Sequence, residues 1–66
     1  MTPRQIGMRL RKIRKAKGMS QYALAAKAKV SREYIRLLES GRSDPTVGML
    51  EKLANALDVP VTELLG

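Results

Sequence analysis

The chain contains neither cysteine nor histidine. Disulfides, thiolate metal sites and the usual zinc ligand sets are thereby excluded, as are the common nucleophile–base pairs of covalent catalysis. Phenylalanine and tryptophan are absent too, and two tyrosines are the only aromatics, so a core must be built from Leu, Ile, Val, Ala and Met. No apolar run approaches the roughly 20 residues of a membrane span, and no segment resembles a signal peptide. The expected location is cytoplasmic. No glycine-rich nucleotide loop occurs, and Asp58 and Glu63 straddle a turn as capping and surface residues. Enzymatic function has no support, and no cofactor or metal is expected. The 66 residues allow one small domain, 1–66, that buries only about 60% of its unfolded surface.

What the chain has in excess is positive charge, unevenly placed. Residues 1–18 hold Arg4, Arg9, Arg11, Lys12, Arg14, Lys15 and Lys17 with no acid, which accounts for the whole formal charge of +7. From residue 19 onward acids and bases balance. Beyond Ser43 the chain is mildly acidic, with Asp44, Glu51, Asp58 and Glu63 against Lys52. Sign asymmetry of this kind suggests a polyanion partner, and the bland alternative is a solvated basic helix.

Hydrophobic periodicity predicts five helices and no strand, an all-α chain without repeats or linkers. Thr2-Pro3-Arg4-Gln5 reads as a capping box with proline at the first helical position. It opens a helix over about 3–17 with Ile6, Leu10, Ile13 and Lys17 inward, and Gly18 ends it. Ser20 caps a second helix, about 21–28, whose apolar face is Leu24, Ala25 and Ala28. The pattern breaks at Lys29-Val30-Ser31. Ser31 then caps a third helix, about 32–39, with Val30 and Ile35 at the positions of a hydrophobic staple. Ile35 and Leu38 continue the apolar face, and Ala25 is small where the two helices must cross. Two short helices sharing a three-residue hinge form a helix-turn-helix. After the loop at 41–45, Thr46 caps a fourth helix, about 47–57, with Val47, Leu50, Leu53, Ala54 and Leu57 inward. Asp58-Val59-Pro60 breaks the chain before a last short helix at 61–65.

A rotation of about 100° per residue assigns the faces of the third helix. With Ile35, Leu38 and Glu39 inward, Glu33, Arg36 and Leu37 point outward, and Arg32 and Tyr34 lie on the flanks. The first turn of such a helix is the part that reaches base edges in the major groove. Arg32 is the leading candidate there, because its fork matches guanine O6 and N7. Glu33 can accept from cytosine N4, and Arg36 completes the outward face. Leu37 has two readings, contact with a thymine methyl or an extension of the core. Gln21 opens the second helix, where its amide and the free N–H groups converge on one anion. Ser31, Lys29 and Tyr34 are further candidates for phosphate contact, Tyr34 with the alternative of an aromatic packed on the rim. Arg11, Lys12 and Lys15 add field rather than fixed geometry.

Five stretches together resemble the phage-repressor-like helix-turn-helix family, the Cro/cI or XRE type. They are R-L-R-K-I-R at 9–14, S-Q-Y-A-L-A at 20–25, V-S-R-E-Y-I-R-L-L-E at 30–39, G-R at 41–42 and D-P-T-V-G-M-L-E-K-L-A-N-A-L at 44–57. The resemblance covers nearly the whole chain. It implies a compact five-helix, lambda-repressor-like fold, a phosphate-binding role for Gln21, and the same role for Ser40 and Arg42. It also implies a salt bridge between Arg14 and Glu39 that holds Arg14 ready for a phosphate. The chain departs from the family at Lys29, a turn position usually glycine, where the left-handed conformation costs lysine roughly 1 kcal/mol.

The function expected from these readings is sequence-specific binding of double-stranded DNA, by a transcriptional regulator that represses through promoter occlusion. One recognition helix contacts too few bases to specify a genomic site, so a homodimer on a two-fold operator is expected. Met49, Val61, Leu64 and Leu65 are the candidate dimer surface, with plain core as the alternative. The chain is either a stand-alone regulator or a fragment of a longer repressor. The runner-up is a protein-partner module, such as an antitoxin that also binds DNA. A third reading, residues 3–17 as a helix on an anionic membrane surface, conflicts with the need for its apolar face inside the domain.

Overall fold

The computed structural model describes residues 2–65, so Met1 and Gly66, the two ends of the expected domain, lie outside the described residues. The chain forms α1 (Pro3–Ala16), α2 (Gln21–Ala28), α3 (Arg32–Glu39), α4 (Val47–Leu57) and α5 (Thr62–Leu65), with no strand among the described residues. The first four helices start alike. The hydroxyls of Thr2, Ser20, Ser31 and Thr46 accept from the amides of Gln5, Ala23, Tyr34 and Met49 at 3.1, 3.0, 3.0 and 3.1 Å. Each such cap satisfies an amide with no partner inside the helix and contributes about 1 kcal/mol. At Thr2 the box closes, because Gln5 Oε1 accepts in return from the Thr2 amide at 3.0 Å.

The same four helices also stop alike. Each turns through the left-handed region, at Gly18, Lys29, Gly41 and Asp58, with φ of 70°, 59°, 78° and 57°. The next amide then reaches back across the last turn: Met19 to Arg14 O at 3.1 Å, Val30 to Ala25 O, Arg42 to Leu37 O and Val59 to Ala54 O, each at 3.0 Å. These are Schellman stops, and such stops favour an apolar residue just past the turn that folds back on the helix. Met19, Val30 and Val59 hold that place and pack against the core.

Leu10, Leu24, Ile35, Leu38, Leu53, Leu57 and Leu64 are fully buried. α3 packs on both α1 and α2, α2 packs on α4, and α5 closes the bundle against α1 and α4. α1 approaches α3 at a glycine. A Cβ on Gly7 would overlap the carbonyl oxygen of Leu38 and stand 3.0 Å from that of Glu39. The molecule measures 26 × 23 × 20 Å. No helix among the described residues is long and apolar enough to cross a membrane.

The structure corrects several expected inward positions. Lys17 is exposed, because α1 ends at Ala16 and the chain leaves the helical path there; Arg14 is the buried residue of the last turn. Val47 is 65% exposed in the first turn of α4, and Ala56, not among the expected inward residues, is buried. Leu64 lies wholly inside, held by the packing of α5 on α1 and α4, so it offers nothing to a dimer surface. Met49 and Val61 are half-buried, while Leu65 is exposed.

Candidate nucleic-acid interface

The turn between α2 and α3 is set by three consecutive residues. Lys29 is left-handed at φ 59°, ψ 43°, Val30 packs on the core, and Ser31 caps α3. With Ile35 and Leu38 buried, the first turn of α3 and one side of its length remain open to solvent. Arg32, Glu33 and Arg36 are exposed. Leu37 is half-buried rather than outward, and Tyr34 is half-buried against the core.

The two outward arginines of α3 differ in their company. Arg36 donates to both carboxylate oxygens of Glu33, Nε at 2.9 Å and Nη2 at 2.6 Å. That hydrogen bonding, first among the causes, lowers the Glu33 carboxyl below its ordinary pKa and raises that of Arg36. The two side chains are 44% and 60% accessible, and bridges so exposed add little to stability. Arg32 lies instead over an aromatic face, its guanidinium carbon 4.6 Å from the centre of the Tyr22 ring. Tyr22 is 67% exposed on the first turn of α2. Its place beside Arg32 is a contact between helices that periodicity alone does not reveal; an aromatic on the polar opening turn of α2 is the only sign of it in the sequence.

Behind this face lies a buried polar network. Arg14 Nε and Nη2 donate to the two oxygens of Glu39 at 2.6 and 3.0 Å, and Nη1 donates to the carbonyl of Met19 at 2.8 Å. The side chains of Arg14 and Glu39 are 9% and 5% exposed. Gln21 Nε2 donates to Glu39 Oε1 at 3.2 Å, a bond that ties α2 into the pair. No buried side-chain N or O among the described residues lacks a partner. One amide hydrogen of Gln21 is therefore used inward, and the other is left for an outside acceptor.

Arg11, Arg14, Gln21, Arg36, Glu39 and Ser40 line a cleft of about 230 Å³ where α1, α2 and α3 meet. Ser40 Oγ donates to Leu37 O at 2.9 Å, while Ser31 Oγ accepts from Tyr34 N and keeps its own hydrogen free. Lys29 and Arg42 are exposed at the two ends of α3. The basic residues of α1 do not all share this side. Lys12 lines, with Arg9, Lys17, Met8 and Val59, a separate groove on the α5 side of α1.

Two short helices joined by a left-handed turn, the first turn of the second open to solvent beside a cleft lined by guanidinium, amide and carboxylate groups, define a helix-turn-helix domain. The helix-turn-helix family model matches residues 10–64, and the chain belongs to that family. The immunity repressor protein of Bacillus phage phi105 is 38% identical over 61 residues, covering 92% of this chain and 42% of that protein. The transcriptional regulator SinR of Bacillus subtilis is 41% identical over 61 residues, 91% of this chain and 55% of SinR. This chain thus spans about half the length of these two relatives. The crystal structure of SinR in complex with DNA superposes with a TM-score of 0.87 at 40% identity, covering 92% of this chain and 98% of that one. The restriction-modification controller protein C.AhdI from Aeromonas hydrophila gives 0.91 at 39% identity and 94% coverage of each chain. These relatives are a phage repressor, a transcriptional regulator and a restriction-modification controller.

Proposed function

We propose that this chain is a sequence-specific, double-stranded-DNA-binding transcriptional repressor that occupies its operator as a symmetric dimer with α3 in the major groove. The observation that carries the reading is the open first turn of α3. There Arg32 has no carboxylate partner among the ion pairs of the described residues, which leaves its fork for guanine O6 and N7. Glu33 and Arg36 bond each other off DNA, so a contact from either to a base edge requires their bridge to open. Leu37, half-buried, offers only its outer part to a thymine methyl.

Phosphate contact falls to the groups around the cleft. Gln21 has its second amide hydrogen and the free N–H groups of the α2 first turn beside it, a favourable seat for one anion. Ser31, Tyr34, Lys29, Ser40 and Arg42 add donors around α3, and Arg14 supports Gln21 through their shared partner Glu39. Such contacts fix the register of the protein and carry no sequence information.

Size supports the dimer if the operator has two half-sites. Half-sites on one face of DNA lie about 34 Å apart, beyond the 26 Å of one molecule. Met49 of α4, Val61 just before α5 and Leu65 of α5 are the apolar groups proposed to meet a second copy. The membrane-surface alternative is disfavoured because Ile6 and Leu10, the apolar face of α1, are spent in the core. Selection of bound duplexes from a random pool tests the proposal. The expected outcome is a two-fold motif with half-sites about one helical turn apart; recovery of the input base composition contradicts it.

A further inference from the structure

We propose that Tyr22 is a positioning residue for sequence readout, a ring on α2 that holds the Arg32 guanidinium of α3 in the orientation in which it meets a base pair. The inference rests on the DNA-binding function proposed above and goes beyond it, by assigning specificity to a residue outside the recognition helix. Three features of the structure carry it. The first is geometry: Arg32 Cζ stands 4.6 Å from the ring centroid, within the range over which a cation is drawn to an aromatic face. The second is exposure. Tyr22 is 67% accessible and stands outside the hydrophobic core and the residues packed on it, so the ring does not serve to fill the core.

The third is contrast with the neighbouring arginines. Arg14 and Arg36 are held by carboxylates, which consume their N–H groups and offset their charge. A guanidinium held through its flat face keeps its charge, and the hydrogens of all five N–H donors lie in its own plane, away from the ring. The edge that pairs with guanine O6 and N7 therefore stays free. A freely rotating arginine would lose side-chain freedom on docking; one already stacked loses less, and the gain appears only where the fork finds its base. The ring thus raises affinity for the right sequence more than for DNA in general.

The test uses the full chain and four variants: Tyr22→Phe, Tyr22→Leu, Arg32→Ala and the double change Tyr22→Leu/Arg32→Ala. Affinities for the selected operator and for random duplex are measured at one salt concentration, with thermal melts to show that each variant is folded. A cation–π contact at an exposed site is worth about 0.5–1 kcal/mol, which converts to roughly 2- to 5-fold in binding. Tyr22→Leu should lower the ratio of operator to random affinity by that factor. Tyr22→Phe should preserve the ratio, because the ring face and not the hydroxyl holds the guanidinium. In the Arg32→Ala background, Tyr22→Leu should leave the ratio where it is.

Three results overturn the inference while sparing the DNA-binding reading. They are an unchanged ratio in Tyr22→Leu where Arg32→Ala lowers it, a Phe variant as impaired as the Leu variant, and an equal loss from Tyr22→Leu with and without Arg32. An unchanged ratio in Arg32→Ala itself counts against readout by Arg32, and the role of Tyr22 falls with it.

Discussion

Lys29 carries a cost that glycine would avoid. At φ 59° and ψ 43° its Cβ crowds the backbone, and Lys29→Gly should raise stability by up to about 1 kcal/mol in chemical denaturation, the gain limited by the greater freedom of glycine in the unfolded chain. A destabilised Gly variant would contradict the strain assigned to this turn. Glu39 is the opposite case, a residue whose loss harms its partners. Its carboxylate receives Arg14 and Gln21, and Glu39→Ala should cost on the order of 3 kcal/mol because Arg14 is left buried without its counter-charge. The Arg14→Ala/Glu39→Ala double change should cost clearly less than the sum of the singles, and strict additivity would mean the two side chains do not interact. The place of the turn was legible in the break of the hydrophobic pattern and the serine caps, and its left-handed residue through the family resemblance, which implies glycine at position 29. The Gln21–Glu39 bond and the Tyr22–Arg32 stack were not, since each depends on how two helices approach each other in space.

At the scale of elements, the starts of the first four helices were legible because a cap is local, whereas α1 stops at Ala16 and not at Lys17. A hydroxyl followed by a helical pattern determines its own hydrogen bond, and the residue after the last turn has few conformations to choose from. Lys17 and Val47 show where periodicity runs out. It gives the direction of a side chain but not whether another helix lies in that direction. Gly7 is the sharpest instance, an ordinary helical glycine in the sequence and a point of close approach of α1 to α3 in the fold. Gly7→Ala should destabilise by about 1–3 kcal/mol through overpacking, outweighing the roughly 1 kcal/mol by which alanine favours the helix. Equilibrium denaturation checks this; a stabilised alanine variant would mean that α1 and α3 do not touch there.

For the whole molecule, the basic excess of the first 18 residues pointed to a polyanion, but their distribution around α1 was hidden. Arg11 and Arg14 line the cleft beside α3, whereas Arg9, Lys12 and Lys17 line the groove on the α5 side. The expected salt dependence is accordingly steep, with log K against log salt falling by about 0.9 per phosphate neutralised; a slope near zero between low and physiological salt would count against nucleic-acid binding. The central claim is that α3 reads sequence through Arg32 while the α2 terminus positions the domain through Gln21. Arg32→Ala and Gln21→Ala, each measured on the selected operator and on random duplex, test it most directly. Arg32→Ala is predicted to lose about 1–3 kcal/mol on the operator and almost nothing on random duplex. Gln21→Ala should weaken both by similar factors, because a phosphate contact carries no sequence information. A ratio of specific to non-specific affinity unchanged in both variants would contradict the claim, and would move the reading to Glu33, Arg36 and Leu37 or to the shape of the DNA.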